Sequence, residues 1–90
     1  MAWTIELHPD AADQLRILAK RDRPTAKRIG EYLKTVGNTN DPRGRGKALS
    51  GPLAGLWRYR VGDWRIIVDI HDSTFVILAL DIDHRSQVYR

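Results

Sequence analysis

The 90-residue sequence predicts an α+β fold: an antiparallel β-sheet with an N-terminal strand and an α-helical hairpin packed on one face, in the order β-α-α-β-β-β. Three observations lead there. Two apolar stripes at helical spacing follow one another, separated only by Asp22-Arg23-Pro24. Strand-like runs stand at the N-terminus and again, three in succession, after Gly55. Gly62-Asp63 separates two of those runs and is a two-residue hairpin signal. Strands that succeed a helical pair, rather than alternating with helices, pair antiparallel. A chain of this length is expected to form one domain over residues 1–90.

Along the chain, residues 3–7 alternate apolar Trp3, Ile5 and Leu7 with polar Thr4 and Glu6, a short strand. His8-Pro9-Asp10 ends it, and Pro9 and Asp10 suit the first turn of a helix. Ala11, Leu15 and Leu18 form that helix's apolar stripe. The second stripe runs through Ala26, Ile29, Leu33 and Val36 and stops at Gly37-Asn38, favourable C-cap chemistry. Residues 38–55, rich in Gly, Pro, Asn and Asp, read as a loop. Strands are expected at residues 56–61, 64–70 and 74–82, with Asp72-Ser73 as the second turn and residues 83–90 as a short tail beside the sheet.

Composition removes several classes of function. With 42% hydrophobic residues, 29% charged and no cysteine, the chain forms no disulfide and no thiolate metal site. The apolar run at residues 75–80 is far below the roughly 18 residues of a membrane span. No positively charged leader precedes an apolar segment, so a cytoplasmic location with no membrane partner is expected.

The net charge of +4 favours an anionic partner. Its placement is more informative. Between Pro42 and Ile67 stand Arg43, Arg45, Lys47, Arg58, Arg60 and Arg65, against Asp63 alone. If Gly62 and Asp63 are the turn, Arg60 faces Arg65 across the hairpin, and Arg58 shares their side. Trp57, Tyr59, Val61, Trp64, Ile66 and Val68 then fill the opposite side, fit to cover the helices. Like charges directly opposite each other destabilise a sheet by some tenths of a kcal/mol, so a carboxylate or a bound anion must compensate. Asp69, Asp81 or Asp83 would make the arginines a solvated surface; a phosphate would make them a binding site, for which the planar guanidinium is suited. Arg43, Arg45 and Lys47 would extend such a site.

No histidine pair among His8, His71 and His84 has metal-ligand spacing, and Gly44, Gly46 and Gly51 do not form a phosphate loop, so neither a metal nor a cofactor is expected. A metal-free arginine surface beside Asp83, His84, Arg85 and Tyr89 could cleave RNA, whose 2′-hydroxyl is an internal nucleophile. Arginine stabilises charge but does not deprotonate in proteins. The proton would fall to His84, Tyr89 or Lys47, and imidazole has the suitable reference pKa, near 6.5.

Four segments carry a resemblance: Lys47-Ala48-Leu49-Ser50-Gly51, Leu56-Trp57-Arg58-Tyr59-Arg60, Asp63-Trp64-Arg65-Ile66-Ile67 and Asp83-His84-Arg85-Ser86-Gln87-Val88-Tyr89-Arg90. In this order they resemble the RelE/ParE toxin superfamily, its RelE-like side in particular, over essentially the whole chain. The resemblance implies a toxin of a type II toxin–antitoxin system, a ribosome-dependent and metal-free endoribonuclease (mRNA interferase) that cleaves mRNA in the decoding site through the 2′-hydroxyl. It implies Arg58, Arg60 and Arg65 as catalytic and phosphate-holding residues and Tyr89 as the residue that positions the nucleotide; beside them His84 stays the acid–base candidate, Arg43, Arg45 and Lys47 extend the RNA-binding face, and His84 or Arg85 would substitute for the arginine missing at position 83. The implied partners are the 70S ribosome with its mRNA and a cognate, RelB-like antitoxin, with operator DNA bound only through the antitoxin. Ile17 and Tyr32 on the helical hairpin are candidate antitoxin contacts, with ordinary core packing as the alternative. Two positions depart from the pattern: both strand positions that can be lysine are arginine, and Asp83 stands where an arginine is expected. The alternative on the same fold is a ParE-like toxin that inhibits DNA gyrase and cuts no RNA.

Overall fold

The computed structural model describes residues 2–84. The expected tail residues Arg85 and Tyr89 lie outside the described residues. The elements run β1 (Thr4–Leu7), α1 (Pro9–Arg21), α2 (Arg23–Gly37), β2 (Lys47–Ala48), β3 (Trp57–Val61), β4 (Trp64–His71) and β5 (Val76–His84), with a short 3-10 turn at Gly51–Leu53. Among these residues no helix is long and apolar enough to cross a membrane.

The two helices begin where the sequence supplies caps. His8 Nδ1 accepts from the Asp10 backbone N–H at 3.1 Å, and Pro9 opens α1. Asp22 serves both helices: its N–H donates to Leu18 O at 2.7 Å, closing α1, and its carboxylate accepts from the Thr25 N–H and hydroxyl, opening α2. Gly37 ends α2 for a packing reason rather than a conformational one. A Cβ there would stand 3.0 Å from the Trp3 carbonyl oxygen, and the Trp3 N–H donates to Gly37 O at 2.6 Å, so the bare glycine lets α2 close on β1.

The α+β arrangement is the expected one, but the sheet is mixed. Its order is β1-β5-β4-β3-β2, and β1 lies parallel to β5 while every other pair is antiparallel. Alternation in residues 3–7 marks a strand but carries no direction; the helical hairpin returns the chain across the sheet and leaves β1 beside the last strand. Three further details differ from the sequence expectation. Lys47-Ala48 pairs with β3, inside the segment expected to be loop. The β4–β5 turn spans residues 72–75 and ends in Phe75 at φ 55, a left-handed residue, rather than being the two-residue Asp72-Ser73. Asp83 and His84 belong to β5, because Arg65 and Trp64 of β4 offer them partners.

The helices cover one face of the sheet. Tyr59, Ile66, Val68, Ile77 and Ile82 pack there against Ala11, Ile29, Leu33 and Val36. The loop before β2 is pinned to this layer: the Tyr59 hydroxyl donates to Pro42 O at 2.5 Å, and Gly46 lies against the Tyr59 ring. Burial pushes the Tyr59 phenol up to about 12.

Candidate functional site

Among the described residues, the other face of the sheet carries no helix. The β3–β4 turn has the expected register: Val61 pairs with Trp64, Arg60 with Arg65 and Tyr59 with Ile66. Gly62 at φ 60, followed by a residue with ordinary φ, has the pattern of a type II′ turn, whose twist suits a hairpin. Since Tyr59 and Ile66 point to the helices, Arg58, Arg60 and Arg65 point away from them. Lys47, paired with Arg58 from β2, joins that side.

Ladder pairing arranges this face in rows. Arg60, Arg65 and Asp83 form one row across β3, β4 and β5; Lys47, Arg58, Ile67 and Asp81 form the next. Ile67 is only 6% exposed although it lies on the open side; its neighbours there are the aliphatic stems of Arg58 and Arg65. Arg65 Nε and Nη1 are shielded from solvent and make no hydrogen bond among the described residues. Arg60, more exposed, directs Nε toward Gly62 O at 3.4 Å. The rows are therefore basic over β2–β4 and end in carboxylates on β5.

A β-bulge decides which β5 residues face the arginines. Ile67 pairs with Asp81 and the adjacent Val68 with Ala79, leaving Leu80 as the extra residue. Ile77 and Ala79 face the helices before the bulge; Ile82 and His84 do so after it. Asp81 and Asp83 thereby take the register of Ile67 and Arg65, at a stretch of β5 where Gln14 of α1 reaches Asp81 and the cavity beside α1 reaches Asp83. Of the three carboxylates that could compensate the arginines, Asp69 pairs with His71 Nε2 at 3.1 Å. Asp81 accepts from Gln14 Nε2 at 2.6 Å, while Gln14 Oε1 accepts from the Ile82 N–H at 2.7 Å. Asp83 is the one directly across from Arg65.

The remaining expected residues do not gather here. His84 stands on the helical side, edge-on to Trp64 with ring centroids 5.6 Å apart, lining a cavity of about 640 Å³ with Gln14, Ile17, Arg21 and Asp83. His84 thus shares the strand parity of Ile82 and pairs with Trp64, opposite in parity to the arginines. Arg43 forms a bidentate pair with Asp72 at 2.9 and 2.6 Å and lies 5.8 Å over the Trp57 ring. That hydrogen-bonded guanidinium holds the Asp72 carboxyl below its ordinary range. Arg45 is beside α2: burial raises the Tyr32 phenol, and the Arg45 charge opposes that rise. Of the three loop cations, Lys47 alone shares the arginine face. Among the described residues no group of three or more His, Asp or Glu side chains converges to hold a metal. Sequence reasoning missed the pairing of Lys47 with Arg58, because a two-residue strand has no periodicity to detect, and missed the register into which the bulge brings Asp83.

The ParE toxin family, toxins of the type II parDE toxin–antitoxin systems, matches residues 5–89. The chain belongs to this family. Toxin RelG of Mycobacterium tuberculosis is 35% identical over 52 residues, 58% of this chain and 60% of RelG; the toxin thus spans less than two thirds of that curated relative. The RelBE2 toxin–antitoxin complex of M. tuberculosis contains a chain 26% identical, with 94% of this toxin and 100% of that chain covered at a TM-score of 0.80. The archaeal RelE–RelB complex from Pyrococcus horikoshii OT3 shares the fold at 23% identity, with 98% and 100% covered and a TM-score of 0.72. The protein is a type II toxin–antitoxin toxin of the RelE/ParE fold.

On this toxin the arginine face can hold a phosphodiester. Three guanidiniums and an ammonium stand on adjacent strands, and charge-assisted hydrogen bonds from guanidinium are about twice as strong as neutral ones. Proton transfer needs a different group, since guanidinium does not deprotonate. Of the apolar antitoxin candidates, Ile17 is 52% exposed, whereas Tyr32 packs on the Tyr59 ring at 5.7 Å.

Proposed function

We propose that this toxin is a ribosome-dependent, metal-free endoribonuclease that cleaves mRNA in the decoding site through the ribose 2′-hydroxyl. Arg58, Arg60 and Arg65 hold the scissile phosphate and stabilise the charge that grows on it; Lys47 and Arg85 contact flanking phosphates, and Tyr89 positions the nucleotide. One observation carries the reading: among the described residues, like-charged Arg60 and Arg65 are direct cross-strand partners on a face that no helix covers, and two nitrogens of Arg65 are shielded and make no hydrogen bond. A bound phosphate relieves both costs. His84 has no part in this reading, because it is opposite in strand parity to the arginines. The partner that neutralises the toxin is a RelB-like antitoxin, supported by the toxin–antitoxin complexes among the solved relatives, and operator DNA is reached through that antitoxin.

A second reading, inhibition of DNA gyrase without RNA cleavage, is supported by the ParE description of the matching family. The two separate in parallel assays. On programmed ribosomes, primer extension is expected to show cuts in the mRNA that vanish without ribosomes, while gyrase supercoiling is unaffected by the same protein. Intact mRNA together with blocked supercoiling would transfer the toxin to the second reading.

A further inference from the structure

We propose that Gln14 is a positioning residue: it holds the Asp81 carboxylate against α1, keeps it from pairing with Arg65, and so leaves that guanidinium to an RNA phosphate. The RNA half of this rests on the ribonuclease reading above. Asp81 pairs with Ile67, two residues along β4 from Arg65. Residues in that diagonal relation lie about 7–8 Å apart, within reach of a long side chain. An arginine with two shielded nitrogens that make no hydrogen bond among the described residues is a strong claimant for the carboxylate. That pairing is nevertheless not made, and Asp81 Oδ1 accepts from Gln14 Nε2 at 2.6 Å instead.

The fold explains how a neutral amide wins this competition. β1 ends at Leu7, opposite Ala79, so the rest of β5 has no strand on that side among the described residues, and α1 packs there. Where β1 has run out, the Ile82 N–H donates to Gln14 Oε1 at 2.7 Å. That bond sets the orientation of the amide. With its oxygen on a donor, the amide presents its NH2 to Asp81; the flipped amide would set NH2 against N–H and oxygen against carboxylate. One side chain thus satisfies a backbone donor and restrains a carboxylate 67 residues away. A mere cap for Ile82 would ask nothing of Asp81, and the two roles separate by experiment.

The test is single-turnover mRNA cleavage on programmed ribosomes, combined with the NMR signal of the Arg65 Nε–H in the free toxin. Gln14→Met keeps the length but donates nothing to Asp81; Gln14→Glu keeps the bond from the Ile82 N–H and repels Asp81. Both are expected to slow cleavage at saturating ribosomes about five- to tenfold, and to move the Arg65 signal downfield as Asp81 pairs with it. Asp81→Asn alone is expected to cut within about threefold of wild type, since the wild-type carboxylate is already withheld. Added to either Gln14 variant, Asp81→Asn is expected to restore the rate to within about threefold of wild type and to return the signal to its wild-type position. A purely structural Gln14 gives no such rescue, because Asp81→Asn does not replace the bond lost at Ile82 in Gln14→Met. Gln14 variants that cut at the wild-type rate, a loss that Asp81→Asn leaves in place, an unmoved Arg65 signal, or Asp81→Asn alone more than about threefold faster than wild type would each overturn the proposal. The last arm leaves α1 unchanged and stays readable if a Gln14 variant folds poorly. A wild-type protein that cuts no mRNA overturns the ribonuclease reading and the RNA half of this proposal together. Wild-type cleavage that Arg65→Ala abolishes and the Gln14 variants leave untouched overturns this proposal alone.

Discussion

The two faces of β3 and β4 are built from alternate residues of the same ten-odd positions, yet they obey opposite rules. On the helical side, Tyr59, Ile66 and Val68 are fully buried, and the one polar group among them, the Tyr59 hydroxyl, has its partner in Pro42 O. On the open side, Arg60 and Arg65 confront each other, and two Arg65 nitrogens make no hydrogen bond among the described residues. The first arrangement minimises free energy in the isolated chain. The second sets two like charges side by side, an arrangement that the proposed phosphate contact would relieve. Strand periodicity keeps the two apart, so a substitution at one position disturbs stability and its immediate neighbour disturbs recognition.

That division gives a graded set of expectations. Ile66→Ala, on the buried side, should cost about 2–5 kcal/mol in urea unfolding through lost burial and the cavity left behind. A cost below about 1 kcal/mol would mean that this face is not the core. Its neighbour Arg65 is expected to cost far less, with unfolding free energy in Arg65→Ala lowered by no more than about 1 kcal/mol, since relief of the repulsion with Arg60 offsets the packing lost over Ile67.

Tyr59 sharpens the comparison through pH. Its phenol titrates at about 12 in the fold against an ordinary value near 10, so the folded state keeps a proton that the unfolded state releases. The resulting stabilisation is complete below pH 10 and is lost as pH rises toward 12, with roughly 2–3 kcal/mol involved. Wild-type unfolding midpoints should fall steeply across that window. In Tyr59→Phe the fall should be much shallower, with Tyr32 supplying the residual slope, and stability at pH 7 should drop by about 1 kcal/mol from the lost hydrogen bond to Pro42. An unchanged alkaline slope would contradict the burial of this phenol.

The smallest effect belongs to Lys47, at the margin of the open face. Lys47→Ala should leave stability within about 0.5 kcal/mol and weaken RNA-dependent activity only a few-fold, with the deficit shrinking as salt rises. Equal loss at all salt concentrations would argue against a phosphate contact.

Much of this was readable from residues alone. Gly62-Asp63 set the register that brings Arg60 and Arg65 together, and the stripes of Ala26, Ile29, Leu33 and Val36 marked the covering helix. The parallel pairing of β1 with β5 was not readable, because alternation in residues 3–7 is the same in either direction. Nor was the side of His84. Residues 76–80 are apolar on both sides, so nothing in the sequence reveals that Leu80 is an extra residue and that inward and outward exchange after it. Arg43 looked equivalent to Lys47 by charge, but its bidentate pair with Asp72 draws it away.

The most direct test of the account compares the two faces in one assay: single-turnover mRNA cleavage on programmed ribosomes by Arg65→Ala and His84→Ala, each checked for an unchanged fold. The open-face account predicts a loss of roughly 100-fold or more for Arg65→Ala and a change of no more than a few-fold for His84→Ala. Full activity in the first variant with collapse in the second would move the reactive centre to the helical side and contradict it.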